Sequence, residues 1–195
     1  NSVVPGIAAP LTAIQLLWLN LVTDSFPALA LGREKGEPNI MKVPPRSKHE
    51  PIINKAMKAS IAVQSLAIFV TVFVAFITAL LTKGTFFYNG SAEPIAVART
   101  VAFATLILAE LFRAYAARSE SVSVFQIGLF SNKFMNISVF GSILLLLAVI
   151  YIPGVNGIFD NVTLMPTAWI MIIPLALIPF AASEISKAIR NRKSK

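Results

Sequence analysis

Asn20, Thr23 and Asp24 fall within one apolar run, LTAIQLLWLNLVTDSFPALAL, and Pro27 follows three residues after the aspartate. The run is long enough to cross a bilayer. A carboxylate held in hydrocarbon costs at least ~2.5 kcal/mol, so it persists where it faces a partner, an ion or water. Positions i, i+3 and i+4 share one face of a helix. Proline has no N–H, so the carbonyl of Thr23 loses its helical hydrogen bond. The segment thus offers an amide oxygen, a hydroxyl, a carboxylate and a freed carbonyl. Hard cations such as Ca²⁺ and Mg²⁺ take such an all-oxygen set. Interhelical hydrogen bonding needs less than this, and the residues point to an intramembrane cation site. A buried carboxylate that loses its cation favours a proton, which couples cation release to proton uptake.

Glu110 is the second carboxylate inside an apolar run, IAVARTVAFATLILAELFRAYAAR, and Arg113 lies at i+3 on the same face. One reading is a structural ion pair, with Arg113 reaching back toward water. The other makes Glu110 an oxygen donor to the site begun by Asp24. If Arg113 curls back, its guanidinium occupies a cation position permanently.

The elements that position these residues follow from composition. The chain is 56% hydrophobic and 13% charged. Five apolar stretches stand out near 9–31, 60–82, 95–116, 134–152 and 167–183, each close to the ~20 residues that span ~30 Å of hydrocarbon. The expected fold is an all-α polytopic membrane bundle. The longest polar stretch, 32–58, is too short for a core of its own. Its prolines Pro38, Pro44, Pro45 and Pro51 stiffen it, which suits a loop that docks on something.

The net charge of +8 does not mark a nucleic-acid binder, because the basic residues form no aromatic-interleaved stripe. They sort by loop. Of 17 Lys and Arg, all but Lys83 and Arg99 fall in or beside the 32–58 loop, the 117–133 loop and the C-terminal tail. That asymmetry predicts those segments to be cytoplasmic, with an extracytoplasmic N-terminus and a cytoplasmic C-terminus. The basic tail suits anionic lipid headgroups. Without cysteine, thiolate ligands and disulfides are excluded. No signal peptide is evident, and the start NSVVPGIAAP reads as part of a longer polypeptide. Gln64 reads as an interhelical hydrogen bond. Glu184 and Lys187 read as interfacial, and Pro174 and Pro179 as packing kinks.

QLLWLNLVTDSFPALALG, followed by EPNIMKVPPR, resembles the sixth transmembrane helix and next cytoplasmic loop of P-type cation-transporting ATPases, nearest their Ca²⁺-pumping branch. LAELFRAY is similar to the eighth helix of that family. The resemblance covers nearly the whole chain, as helices six to ten. It implies that Asn20, Thr23 and Asp24 are ion ligands, with Asp24 central, and that Glu110 is the eighth-helix ligand. It implies that the 32–50 loop, with Pro44, Pro45 and Arg46, contacts the phosphorylation domain. Ca²⁺ is then the transported ion, while Mg²⁺ and ATP act elsewhere in the parent. The partners are the remaining helices and cytoplasmic domains of that parent, in a bacterial plasma membrane. Ser25 stands where eukaryotic pumps have glycine, and Arg113 where they have an uncharged residue. The phosphorylated DKTGT motif and the nucleotide-binding and actuator domains are not in this sequence, so the chain alone is not expected to hydrolyse ATP. Two other classes compete: a secondary cation/proton exchanger, which predicts inverted repeats that are not found, and a non-catalytic membrane interaction module.

Overall fold

The computed structural model describes residues 9–36, 53, 55–119 and 121–193. The described residues are helical, with no strand among them. The first helix, α1 (Ala13–Trp18), begins at a capping box. The Thr12 hydroxyl accepts from the Gln15 N–H, and the Gln15 side chain accepts from the Thr12 N–H at 2.9 Å. Leu19–Asp24 then form a π turn, and α2 (Ser25–Leu31) completes the span. Next come α3 (Lys55–Leu81), α4 (Pro94–Ala116), a short α5 (Val124–Ile127), α6 (Lys133–Tyr151), a short α7 (Val155–Ile158) and α8 (Ala168–Lys193).

Among the described residues five segments are long and apolar enough to cross a membrane: Ala13–Leu31, Met57–Leu81, Pro94–Ala116, Lys133–Tyr151 and Ala168–Arg190. The chain is an integral membrane protein. Pro94 opens α4 at the first helical position, where a missing N–H costs nothing. The two prolines of α8 leave it one helix, because neighbouring groups can re-satisfy a freed carbonyl in a membrane bundle.

The centre of the bundle is α4. Two thirds of its span (67%) is buried, against 17–33% for the others, and it packs on α3 and α8, which also pack on each other. Lipid tails are as apolar as leucine, so close van der Waals approach must hold these helices, and small residues permit it. Fully buried alanines supply that approach: Ala75 and Ala79 on α3, Ala98, Ala102, Ala104 and Ala109 on α4, and Ala168 and Ala176 on α8. Gln64 on α3 donates to Ser183 Oγ on α8 at 3.3 Å, the interhelical bond its lone polar amide predicts.

The first span packs through α2 against α6 and through its π turn against α4. Two polar ties fix its ends. Gln15 Nε2 donates to Asn161 Oδ1 at 2.8 Å, and at the other end Asn132 Nδ2 donates to the Ala30 carbonyl at 3.2 Å. The α3–α4 turn carries Gly84 at φ +72, where a side chain would also press on Val97. That turn buries Phe87, whose carbonyl accepts from Met165 N at 2.7 Å just before α8.

Candidate functional site

Pro27 has no N–H to return to the turn before it. A uniform α-helix would leave a carbonyl there without a partner in hydrocarbon, where each unsatisfied group costs several kcal/mol. The chain widens instead. The interruption predicted at Asp24–Pro27 is a π turn over Leu19–Asp24, one turn N-terminal of the proline. Such turns occur mostly as single bulges inside α-helices, frequently at functional sites.

The turn carries all three polar residues. Thr23 is buried, and its hydroxyl donates to the Leu19 carbonyl at 2.5 Å. That bond uses the hydrogen and leaves oxygen lone pairs to coordinate. Asn20 and Asp24 are exposed on the bundle's surface, in line with Leu16 and Leu17, which are also uncovered. The open face of the first span thus combines apolar residues with an amide and a carboxylate.

Glu110 and Arg113 on α4 complete the group. Asp24 lies within electrostatic reach of both. Arg113 does curl back: Nε and Nη2 both donate to Glu110 Oε2, at 2.9 and 2.5 Å. Glu110 Oε1 has no protein donor among the described residues. The pair is only partly covered, with side-chain exposures of 35% for Arg113 and 17% for Glu110. Among the described residues no cluster of three or more His, Cys, Asp or Glu side chains forms. What the structure brings within electrostatic reach of one another is Asp24, Glu110 and Arg113, with the amide of Asn20 and the hydroxyl of Thr23 on the same π turn as Asp24. Pro44, Pro45 and Arg46 lie outside the described residues.

Two further polar clusters stand at the basic end of the bundle. Arg118 has a fully covered side chain and donates to both carboxylate oxygens of Glu34 at 2.8 Å. Its remaining donors meet Gly128 O, Leu129 O and Ser131 Oγ, and Asn132 Nδ2 adds a 2.7 Å bond to Glu34. The Arg118 hydrogen bonds, aided by Asn132, hold the Glu34 carboxyl below the usual glutamate value. The second cluster centres on Lys187, which is buried against the protein near the end of the last span. Its Nζ donates to the Ala116 carbonyl at 2.6 Å and to Glu184 Oε1 at 2.8 Å, while Glu184 Oε2 accepts from Ser123 Oγ at 2.5 Å. Together they clamp the segment after α4 between the exit of α2, α6 and α8. Sequence reasoning passed over Glu34, Arg118 and Asn132. Their one signal was an acid and a base beside span ends, with nothing local to pair them.

The family described as "Cation transporting ATPase, C-terminus" matches residues 8–189. The chain belongs to that family. Curated relatives agree with the assignment. A "Calcium-transporting ATPase" of Bacillus subtilis is 39% identical over 89% of this chain and 18% of its own length. "Calcium-transporting ATPase type 2C member 2" of Mus musculus is 32% identical over 95% of the chain and 19% of its own length. "Calcium-transporting ATPase 1" of Schizosaccharomyces pombe is 31% identical over 96% and 20%. The chain thus spans about one fifth of the length of these cation-transporting ATPases.

Proposed function

We propose that the chain is the C-terminal half of the membrane domain of an ATP-driven Ca²⁺ pump, and that Asn20, Thr23, Asp24 and Glu110 give oxygens to its ion site. The observation that carries this reading is the π turn. It presents Asn20 and Asp24 on an open face, with Asp24 within electrostatic reach of Glu110, where further helices of the parent can add ligands. Four oxygen-bearing side chains fall short of the 6–8 oxygens Ca²⁺ takes, so the parent's other helices supply the rest. The printed names of the relatives favour Ca²⁺ as the ion.

In this reading phosphorylation from ATP, with Mg²⁺, takes place on the parent's cytoplasmic domains. The 32–58 loop, with Pro44, Pro45 and Arg46, relays that event to the membrane. The site then turns from inward and tight to outward and weak. Ca²⁺ leaves, and protons return on the emptied carboxylates. Arg113 stands as a tethered cation beside Glu110 and lowers the number of ions the site takes. The membrane is a bacterial plasma membrane, with the N-terminus outside and the C-terminus inside.

The test is Ca²⁺-dependent phosphoenzyme formation from ATP in the full-length parent. Wild type forms phosphoenzyme when Ca²⁺ is added, and Asp24→Asn loses that activation by a factor of a hundred or so, on the order of one carboxylate ligand and the pairing it leaves undone. No phosphoenzyme in wild type with Ca²⁺ rejects the ion. An Asp24→Asn variant that behaves like wild type rejects the site.

A further inference from the structure

A cavity of about 530 Å³ opens at the basic end of the bundle, between the exit of α2, the segment after α4 and the start of α6. Arg33, Lys35, Arg118 and Lys133 line it with a single carboxylate, Glu34. Arg118 and Glu34 cancel, since they bind each other through two hydrogen bonds, and Arg118 spends its other donors on backbone carbonyls and Ser131. Three cations remain. Arg33, Lys35 and Lys133 are exposed, and no carboxylate among the described residues pairs with them.

The position of these charges restricts what can neutralise them. Lys133 is the first residue of α6 and Gly32 caps α2, so the cavity lies where two membrane spans end. Phe134 lines its wall and holds the Arg33 guanidinium over its ring, 4.1 Å from the centroid, which keeps the planar donor fork at the rim. From Phe134 an apolar stripe runs along α6 into the span: Phe134, Ile137 and Phe140 are 49%, 68% and 63% exposed and lie three residues apart, on one side of the helix. A basic hollow at a span end, continued by an apolar groove wall, matches a molecule with an anionic head and a hydrocarbon body. Basic pockets between membrane helices take phospholipid head groups in this way.

We propose that this cavity seats the phosphate headgroup of an anionic phospholipid, with its acyl chain along the Phe134–Ile137–Phe140 stripe. Arg33, Lys35 and Lys133 bind the phosphate. The Glu34–Arg118 pair forms the floor and keeps the walls in place without spending charge on the ligand. An acidic protein segment would satisfy the three cations but would leave the stripe unused. The assignment does not depend on which ion the parent carries, or on whether it pumps at all.

The experiment is native mass spectrometry of the full-length protein in detergent, with phosphatidylglycerol or phosphatidylcholine added at equal concentration. Wild type retains one phosphatidylglycerol in preference to phosphatidylcholine. The triple variant Arg33→Gln/Lys35→Gln/Lys133→Gln loses that preference by roughly tenfold or more, as expected for three cations near a lipid surface. All three positions are exposed, so the variant keeps its fold. Lys58→Gln, an exposed lysine at the same end but outside the cavity, retains the lipid. Equal retention of the two lipids by wild type overturns the proposal, and so does equal loss in the triple variant and Lys58→Gln. Inorganic phosphate that binds wild type without lipid and displaces phosphatidylglycerol marks a soluble-phosphate site and overturns the lipid assignment. A lack of any lipid preference, with an acidic peptide bound in its place, does the same.

Discussion

Glu110 and Arg113 illustrate how much a single pair can decide. An arginine at i+3 can leave a carboxylate by reaching toward water, or can neutralise it in place. Arg113 chooses the second course, and both of its bonds go to Oε2. In the proposed site Oε1 is then the oxygen left for a cation, and Arg113 already fills one charge. Arg113→Ala removes the tethered charge and re-exposes Glu110. The expected outcome is a changed number of Ca²⁺ bound per phosphorylated molecule in the parent, read by ⁴⁵Ca²⁺ retention on a filter. An unchanged ratio makes the pair structural. Thr23 tests the opposite side. Thr23→Val keeps the shape but removes the hydroxyl, so the bond to the Leu19 carbonyl and the proposed oxygen ligand go together. One hydrogen bond of this kind is worth about 1 kcal/mol, and the Ca²⁺ concentration for half-maximal phosphorylation should rise roughly five- to tenfold. A value within twofold of wild type removes Thr23 from the ligand set.

At the scale of elements, the sequence made some features legible and hid others for identifiable reasons. Apolar length located the five spans, because a bilayer imposes its thickness on every helix that crosses it. The spacing of Asn20, Thr23 and Asp24 suggested one shared face, but the π turn buries Thr23 while Asn20 and Asp24 stay exposed; Pro27 did signal a defect. The defect's position was less legible: a proline acts on carbonyls of the preceding turn, so the helix widens at Leu19–Asp24, before the proline. Glu34 and Arg118 had no such local mark. They sit 84 residues apart, and only the packing of α2, α4 and α6 brings them together. Gln15 and Asn161 are hidden in the same way, 146 residues apart.

The Glu34 latch makes an element-scale prediction about pH. Its carboxyl is held below the ordinary value of 4.5, first by the hydrogen bonds from Arg118. A carboxyl depressed in the folded state contributes its stability above the unfolded value and loses it as the pH falls through the lower folded one. Heated in detergent, wild type should therefore lose stability on acidification below 4.5. Glu34→Gln cannot titrate, so it should start less stable at neutral pH and fall less steeply in that window. Equal slopes would deny the latch a part in acid stability. Arg118→Ala should be the harsher change, because it leaves the Glu34 carboxylate half-buried without its cation. Removing one partner of a buried pair costs about 3–5 kcal/mol.

The whole molecule is ordered by charge. Among the described residues five helices are long enough to cross a bilayer, and in the sequence every Lys and Arg except Lys83 and Arg99 falls in or beside the 32–58 loop, the 117–133 loop and the C-terminal tail. The basic end of the bundle also holds the latch, the buried Lys187 and the proposed lipid cavity, so orientation decides which compartment each of them meets. Positive charge is retained on the cytoplasmic side during insertion, which predicts the α3–α4 turn outside and the segment after α4 inside. The chain has no cysteine, so a single introduced thiol reports without background. Ser91 and Gln126 are both exposed, the first beside the start of α4 and the second on α5. In intact cells making the full-length protein, Ser91→Cys should react with a membrane-impermeant maleimide, while Gln126→Cys should react only after permeabilisation. The reverse pattern would invert the bundle. Asp24 would still lie within electrostatic reach of Glu110, but the basic cavity would open outward and the proposed docking of the 32–58 loop on an ATP-binding domain would fail. One labelling pair therefore tests, at once, the direction of transport and the side on which the loop must dock.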